Sequence, residues 1–365
     1  MDDYTWQQRL QARKAREHRR LSLVIFLLAA MIGSALWYFF FYIRTPEYSL
    51  AQLQTAIAEH DGETFARYVN QELLASRAYD DLTVDLFAYD SELTPQTKAM
   101  FEKFYILIKP QMAAGLETTA LNRVTAGSWL LPDGTDILKG RQLGIDFERF
   151  LERSQLRNTT LVSIGKVEHN GKNATAELNI REDYTQTDFT LVAVMEQADD
   201  GHWQIAYLKN YKAYLDLISP LQNRDIANYI ADTKEIVNNS NETFAVLKSH
   251  FKRLGHSKNG YLSKQQKQKL QSLIADDIIP NLQERQAQLD AVAIPAGAQY
   301  LARQRQQATE TSVKAWQHYI RGLQTGNPQE FATAETLHKQ ELAIDLRVQD
   351  IIRHTAISKN IPNLP

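Results

Sequence analysis

Residues 21–43, LSLVIFLLAAMIGSALWYFFFYI, carry no charge and only two serines. As a helix, a run of this length reaches ~34 Å, enough to cross a hydrocarbon core of about 30 Å. Trp37, Tyr38 and Tyr42 gather at its far end, where an aromatic belt meets the headgroups. Arg9, Arg13, Lys14, Arg16, Arg19 and Arg20 precede the run, and only Arg44 follows it before Thr45-Pro46-Glu47. That bias predicts a basic cytoplasmic tail over 1–20, a transmembrane signal anchor over 21–43, and an extracytoplasmic chain after about residue 45. A cleaved signal peptide would carry a shorter apolar region, about 7–15 residues, closed by small residues rather than bulky aromatics. No other stretch is as long and apolar, so the expectation is a single-pass membrane protein. Trp6, Leu10 and the tail arginines suit either a solvated topology signal or a basic amphipathic helix on the inner leaflet.

The 365 residues are enough for two or three domains. A formal net charge of -2 gives no reason to expect nucleic acid as a partner. Cysteine is absent, which excludes disulfides, thiolate zinc sites and a cysteine nucleophile.

The stretch AIAEHDGETFARYV, residues 56–69, concentrates groups that ligate metals or move protons. It also reads as a turn between two helices. Leu50, Leu53 and Ile57 keep helical spacing before it, and Phe65, Tyr68 and Val69 keep it after. Asp61 is a good N-cap, Glu63 favours the first turn, and Gly62 eases the bend, which leaves His60 alone without a structural role. The turn reading is preferred.

Helix is expected to continue over 70–92 through Leu73, Leu74, Leu82, Leu86 and Phe87. Thr94-Pro95 starts another, with Phe101, Phe104, Tyr105 and Ile108 on its buried face and Pro110 bending or ending it. Pro132-Asp133-Gly134 signals a turn, and Phe147, Phe150 and Leu151 a short helix. After Asn158 the period changes to two. Ala174, Ala176, Leu178 and Ile180 alternate with polar residues, as do Phe189, Leu191 and Ala193. With turn signals at Asn170-Gly171 and Asp200-Gly201, this predicts four antiparallel strands near 160–168, 173–184, 187–198 and 202–209. A short helix over 211–217 closes the unit.

Helices followed by an antiparallel meander ending in GHWQIAYLKNY resemble the cystatin-like α+β cone, the fold of nuclear transport factor two and its relatives. AIAEHDGETFARYV resembles the first helical hairpin of those domains, with Asp61-Gly62 in the reverse of the family's usual order. The resemblance spans residues 47–218. It implies a pocket at the cone's open end, an enzyme site in some members and a binding surface in many. The catalytic Asp-His pairs of enzymatic members have no counterpart here. The anchor-plus-cone layout is similar to that of membrane-anchored bacterial proteins of unknown function, and to the bitopic assembly factor of type IV secretion systems.

From Asp225 onward helix is expected throughout, giving a domain over 222–357. Ile226, Ile230, Thr233, Val237, Ser240, Phe244, Leu247, Phe251 and Leu254 form a heptad seam of coiled-coil type. Gly255 and Asn259-Gly260 then break the chain. Ser263 and Gln266 form a capping box, Pro280 kinks the next helix, Pro295 opens a third, and Asn327-Pro328-Gln329-Glu330 starts a fourth. Four long helices with short connections make an antiparallel bundle, whose seam also allows a homodimer. Glu335-x-x-His338 has the spacing of di-iron carboxylate ligands but lacks a second such motif, so no metal is expected. Three Asn-x-Thr sequons, at Asn158, Asn173 and Asn241, mean little without a secretory context.

The expected class is therefore α+β: one transmembrane helix, a cone of helices and antiparallel sheet, and a C-terminal helical bundle. With no catalytic constellation and no cofactor motif, the expected role is a non-enzymatic envelope protein binding a protein partner or a cell-wall component. The rival readings are an assembly subunit of a transenvelope secretion-type machine and an enzyme or lipid-binding protein using the cone pocket. For a pocket, Tyr184, Asp188, His202 and Tyr207 are the strand residues to test.

Overall fold

The computed structural model describes residues 3–88, 94–129, 147–256 and 262–358. The turns expected at Pro132-Asp133-Gly134 and Asn259-Gly260 lie outside the described residues, as do the side chains of Leu86, Phe87 and Phe101. The chain is α+β, with one four-stranded antiparallel sheet among the described residues.

Helix α1 (Asp3–Phe40) carries the apolar run. The span Leu21–Arg44 is the one described segment long and apolar enough to cross a membrane, and none of it is buried. A 3-10 turn (Tyr42–Arg44) leads directly into α2 (Pro46–Glu59), capped by Thr45 Oγ1, which accepts from Tyr48 N at 3.2 Å. Only Phe41 and Thr45 flank the 3-10 turn between α1 and α2, so no slack chain separates the two helices. Trp203 donates its indole N–H to the Arg44 carbonyl at 2.9 Å and its backbone N–H to Ser49 Oγ at 3.1 Å.

The stretch over residues 56–69 is a turn, as expected, but its parts divide the work differently. Asp61 caps α3 (Gly62–Tyr68), accepting from Thr64 N at 3.0 Å. The bend itself is made by His60, in the left-handed region at φ 61°. Its Nδ1 donates to the Val124 carbonyl at 2.7 Å, so His60 does have a structural role. Gly62 serves close approach rather than bending: a Cβ there would lie 2.4 Å from Thr125 Cγ2 and 3.2 Å from Leu121 Cδ1. Ile57 is exposed, and Ala56 takes the buried position beside Leu53.

Helices α4 (Gln71–Ala88) and α5 (Pro95–Ala126) follow, and α5 runs through Pro110 rather than ending there. After α6 (Phe147–Arg153) come β1 (Thr159–Asn170), β2 (Asn173–Glu182), β3 (Thr187–Gln197) and β4 (Trp203–Leu208), ordered 1-2-3-4. Gly171 and Gly201 take positive φ in the two expected turns, where a side chain would be strained. The turn between β2 and β3 has no glycine. Instead, the buried Glu182 carboxylate accepts from Tyr184 N at 3.1 Å and Thr185 N at 2.6 Å.

One face of the sheet is buried. Ala174, Ala176, Ala193, Met195 and Ile205 pack on Leu50, Leu53 and Phe65. Further along, Ile180 and Leu191 pack on Tyr79, Met112 and Leu151, and on Tyr214 and Ile218 of the next helix. The β4 edge is clipped by a bridge from Val69 to Ile205 and by Asn70 N donating to the Ile205 carbonyl at 2.9 Å. Among the described residues the β1 edge has no strand beyond it, and two bulges interrupt its register with β2.

The short helix expected over 211–217 is instead the first two turns of α7 (Tyr211–Gly255), 45 residues and about 68 Å long. Pro220 lies inside it, costing one backbone hydrogen bond without a break. Tyr214 and Ile218 at one end belong to the sheet core, while Ile226 and Tyr229 belong to the helical half. Beyond it, α8 (Lys264–Ser272) has the expected capping box at Ser263 and Gln266. The kink assigned to Pro280 is preceded by a π-helical turn over Leu273–Ile278, with Ile279 N bonded to the Ile274 carbonyl, before α9 (Ile279–Asp290) resumes. A wider turn accommodates the proline ring, a common cause of kinks. Helices α10 (Gln299–Thr325) and α11 (Pro328–Ser358) form the last hairpin. The α7 seam packs within the chain: Phe244, Leu247, Phe251 and Leu254 meet Leu270, Ile274, Ile278 and Trp316.

Candidate functional site

The four strand residues singled out for a pocket do not converge. Tyr184 sits in the β2–β3 turn, where its ring lies under the Arg303 guanidinium, 5.6 Å from the centroid, and its hydroxyl accepts from Arg303. Asp188 faces Arg181 across the β2–β3 ladder in an exposed bidentate pair at 2.6 and 3.0 Å. The Arg181 hydrogen bond holds the Asp188 carboxyl below its usual range. His202 lies at the opposite end of the sheet, its Nδ1 on the Asp200 carboxylate and its Nε2 donating to the Arg67 carbonyl at 2.8 Å. A strand length of about 30 Å separates the two ends. Tyr207 is on β4, opposite Val194, with Arg77 5.7 Å from its ring centroid. Each of the four is engaged in a separate local contact.

The Glu335-x-x-His338 pair is likewise divided. Glu335 binds Lys339 at 2.7 Å, and His338 Nδ1 binds Glu341 at 2.8 Å. Among the described residues no three His, Asp or Glu side chains converge as metal ligands.

A concave feature lies elsewhere. A cavity of about 160 Å³ opens between the buried face of the sheet and the helices above it. Phe65 and Val69 close one side, Ala75 and Ala78 of α4 and Leu116 and Ala120 of α5 form the roof, and Leu191 and Leu208 the floor. Leu156, 39% exposed, forms part of the rim. The alanines create the space: where a core usually carries leucine or larger, α4 and α5 present methyl groups.

The wall also carries polar side chains, and most close on one another. Tyr211 OH donates to the Ser154 carbonyl at 2.6 Å, and Ser154 Oγ donates to the Leu151 carbonyl at 2.6 Å. Thr159 Oγ1 donates to the Gln155 carbonyl at 2.7 Å and lies 2.7 Å from Tyr214 OH. Gln155 pairs side chain to side chain with Gln222 at 3.0 Å. Burial pushes the Tyr211 phenol far up, and pushes Tyr214 up to about 12. Neither phenol therefore acts as a base near neutral pH, and the Ser154 hydroxyl is committed to the backbone. Gln71, the first residue of α4, also lines the cavity, but its Oε1 is sealed away from the lumen and has no partner. Glu117 of α5 is a further lining residue, and almost all of the lining surface is apolar. This arrangement can hold an apolar body, and it does not assemble a nucleophile with a base.

The sequence reading missed this site because an alanine-rich helix face reads as ordinary core. The available signal was Ala75 and Ala78 on α4 facing Ala120 on α5, small residues at helical spacing on both sides of one layer. In comparisons with known proteins, no family model, no curated protein and no solved structure matches the chain.

Proposed function

We propose that this chain is a non-enzymatic, single-pass envelope protein whose membrane-anchored domain binds an apolar ligand. In this reading residues 1–20 are cytoplasmic, residues 21–43 are an uncleaved signal anchor, and the chain after about residue 45 is extracytoplasmic. Residues 47–218 form a cystatin-like cone, and the helices over 222–357 an antiparallel bundle that serves as a spacer or docking surface. The observation that carries the proposal is the cavity, whose wall is apolar and whose polar groups are spent on each other rather than aimed at a reacting atom.

A second reading, binding of a protein partner as in a transenvelope assembly, draws on β1. Among the described residues this 12-residue strand is paired on one side only, with Leu161 43% and Val162 59% exposed. Unpaired strand edges accept strands from partners. One experiment weighs the two: photoreactive residues at Leu156 and Val162 of the full-length protein, crosslinked in cells and read by mass spectrometry. Small-molecule adducts at position 156 are expected. Protein adducts at 162 with no small-molecule adduct at 156 would shift the role to assembly.

A further inference from the structure

We infer that the anchor is a rigid mount rather than a tether, and that it seats one end of the sheet, at the β3–β4 and β1–β2 turns, on the lipid headgroups where the chain leaves the bilayer. The inference rests on reading residues 21–43 as a membrane anchor and adds the surface with which the domain meets the membrane.

Backbone bonding runs on through the junction. Phe41 N donates to the Trp37 carbonyl at 2.9 Å, Arg44 N to the Phe41 carbonyl at 3.2 Å, Thr45 N to the Tyr42 carbonyl at 3.1 Å and Ser49 N to the Thr45 carbonyl at 3.3 Å. Rings then tie the two helices together. Tyr48 of α2 packs edge-on against Tyr38 and Tyr42 of the span, with centroids 6.4 and 5.4 Å away, an attractive geometry for aromatic pairs. The sheet adds a third tie. Trp203, buried at the start of β4, donates its indole N–H to the Arg44 carbonyl, and the Arg44 side chain lies against Gly201, where a Cβ would meet its Cδ at 3.7 Å. Swinging the domain about the junction would break all three.

These ties also fix which surface faces the bilayer. Arg44 closes the apolar span, so whatever touches it lies where hydrocarbon gives way to headgroups, a layer roughly 5–8 Å deep. Trp203 and Gly201 touch it, and both belong to the β3–β4 end of the sheet. Gln197 pairs with Trp203 across the ladder, and its N–H reaches the Lys172 carbonyl at 3.3 Å, which brings the β1–β2 turn to the same end. Tyr38, Tyr42 and Tyr48 cluster at that level, the depth that such rings favour. The span itself is unburied, so the domain stands at its end and not alongside it.

The charges around this exit have both signs. Among exposed residues, Arg44 and Lys172 share it with Glu47, Asp199 and Asp200. Adhesion by charge alone needs a polybasic patch. Seating here is therefore mechanical, and it holds on zwitterionic and anionic headgroups alike.

Because the chain has no cysteine, a single Asp199→Cys or Lys172→Cys carries one fluorophore into the full-length protein at an exposed position. The protein is reconstituted into vesicles of phosphatidylcholine, with or without phosphatidylglycerol, in which some headgroups bear a nitroxide quencher. Most of the emission at both positions should be lost in both lipids. A flexible glycine-serine segment inserted between Arg44 and Thr45 should restore most of it, because the domain then hangs at a random distance from the surface. Full emission with the natural junction would overturn the seating. Quenching that survives the insertion, or that needs phosphatidylglycerol, would overturn the rigid mount in favour of adhesion. Failure of the protein to float with the vesicles would instead overturn the anchor reading. The comparison of the two lipids with the natural junction stands whether or not the inserted variant folds.

Discussion

Gly62→Ala separates two explanations of the same glycine by the sign of its effect. If Gly62 merely eased a bend, alanine would stabilise the chain by about 0.4–1 kcal/mol through a stiffer unfolded state, since φ at Gly62 is not in the left-handed region. The structure requires the opposite. The new Cβ would lie 2.4 Å from Thr125 Cγ2, against an optimum of about 3.5–4.0 Å, so α3 and α5 would have to part by roughly 1 Å. Overpacking of this kind costs about 1–3 kcal/mol, and alanine's helix propensity returns at most ~1. The net expectation is a loss of about 1–2 kcal/mol, or a melting point lower by ~2–8 °C. Thr125→Ser removes Cγ2 and keeps the hydroxyl that donates to the Leu121 carbonyl at 3.0 Å. The double variant Gly62→Ala/Thr125→Ser should recover most of the loss. The assay is thermal unfolding of the full chain in micelles, followed by tryptophan fluorescence, across the four members of the cycle. A single variant as stable as the wild type, or a cycle with no coupling, would refute the close-approach argument.

Three further outcomes follow from the same kind of reasoning. His60→Ala should destabilise by about 1–2 kcal/mol through loss of the Val124 hydrogen bond. His60→Gly should cost about 1 kcal/mol less than His60→Ala, because glycine accepts φ 61° without strain; equal losses would show that backbone strain is not involved. Burial raises the Glu152 carboxyl above its ordinary value, so the folded state holds that proton more tightly than the unfolded chain, and its contribution to stability fades as pH rises through the raised value. Glu152→Gln, which stays neutral, should gain on the wild type between acid and neutral pH in urea titrations; a wild type that instead gains on the variant as pH rises would contradict this. Because the chain has no cysteine, single substitutions report topology cleanly. An impermeant maleimide should label Glu235→Cys in intact cells and Gln7→Cys only after lysis, and the reverse pattern would invert the proposed orientation.

Much of the fold was legible because its signals are local. Period-two alternation located β2 and β3 to within two residues at each end, and two of the three turns announced themselves with glycine. The third is held by the buried Glu182 carboxylate, which a sequence window shows only as one more acidic residue. One breaker was ambiguous and one helix was cut short. Pro110 read as a bend or an end, yet α5 runs on through it, and the helix expected over 211–217 runs on through Pro220. The cavity was illegible for a different reason: a void is a property of facing elements, and Ala75, Ala78 and Ala120 declare it only once α4 and α5 are set against each other. Gln71 is similar, since a glutamine at a helix start gives no sign that its amide will be buried without a partner.

The most direct test of a membrane-anchored ligand-binding protein is native mass spectrometry of the full-length chain released from its own membranes, beside a cavity-filled variant, Ala75→Phe. A filled cavity gives a wild-type species heavier than the polypeptide by one small, apolar molecule, and a variant that carries none. Polypeptide mass alone in the wild type, or the same adduct on both proteins, would contradict it.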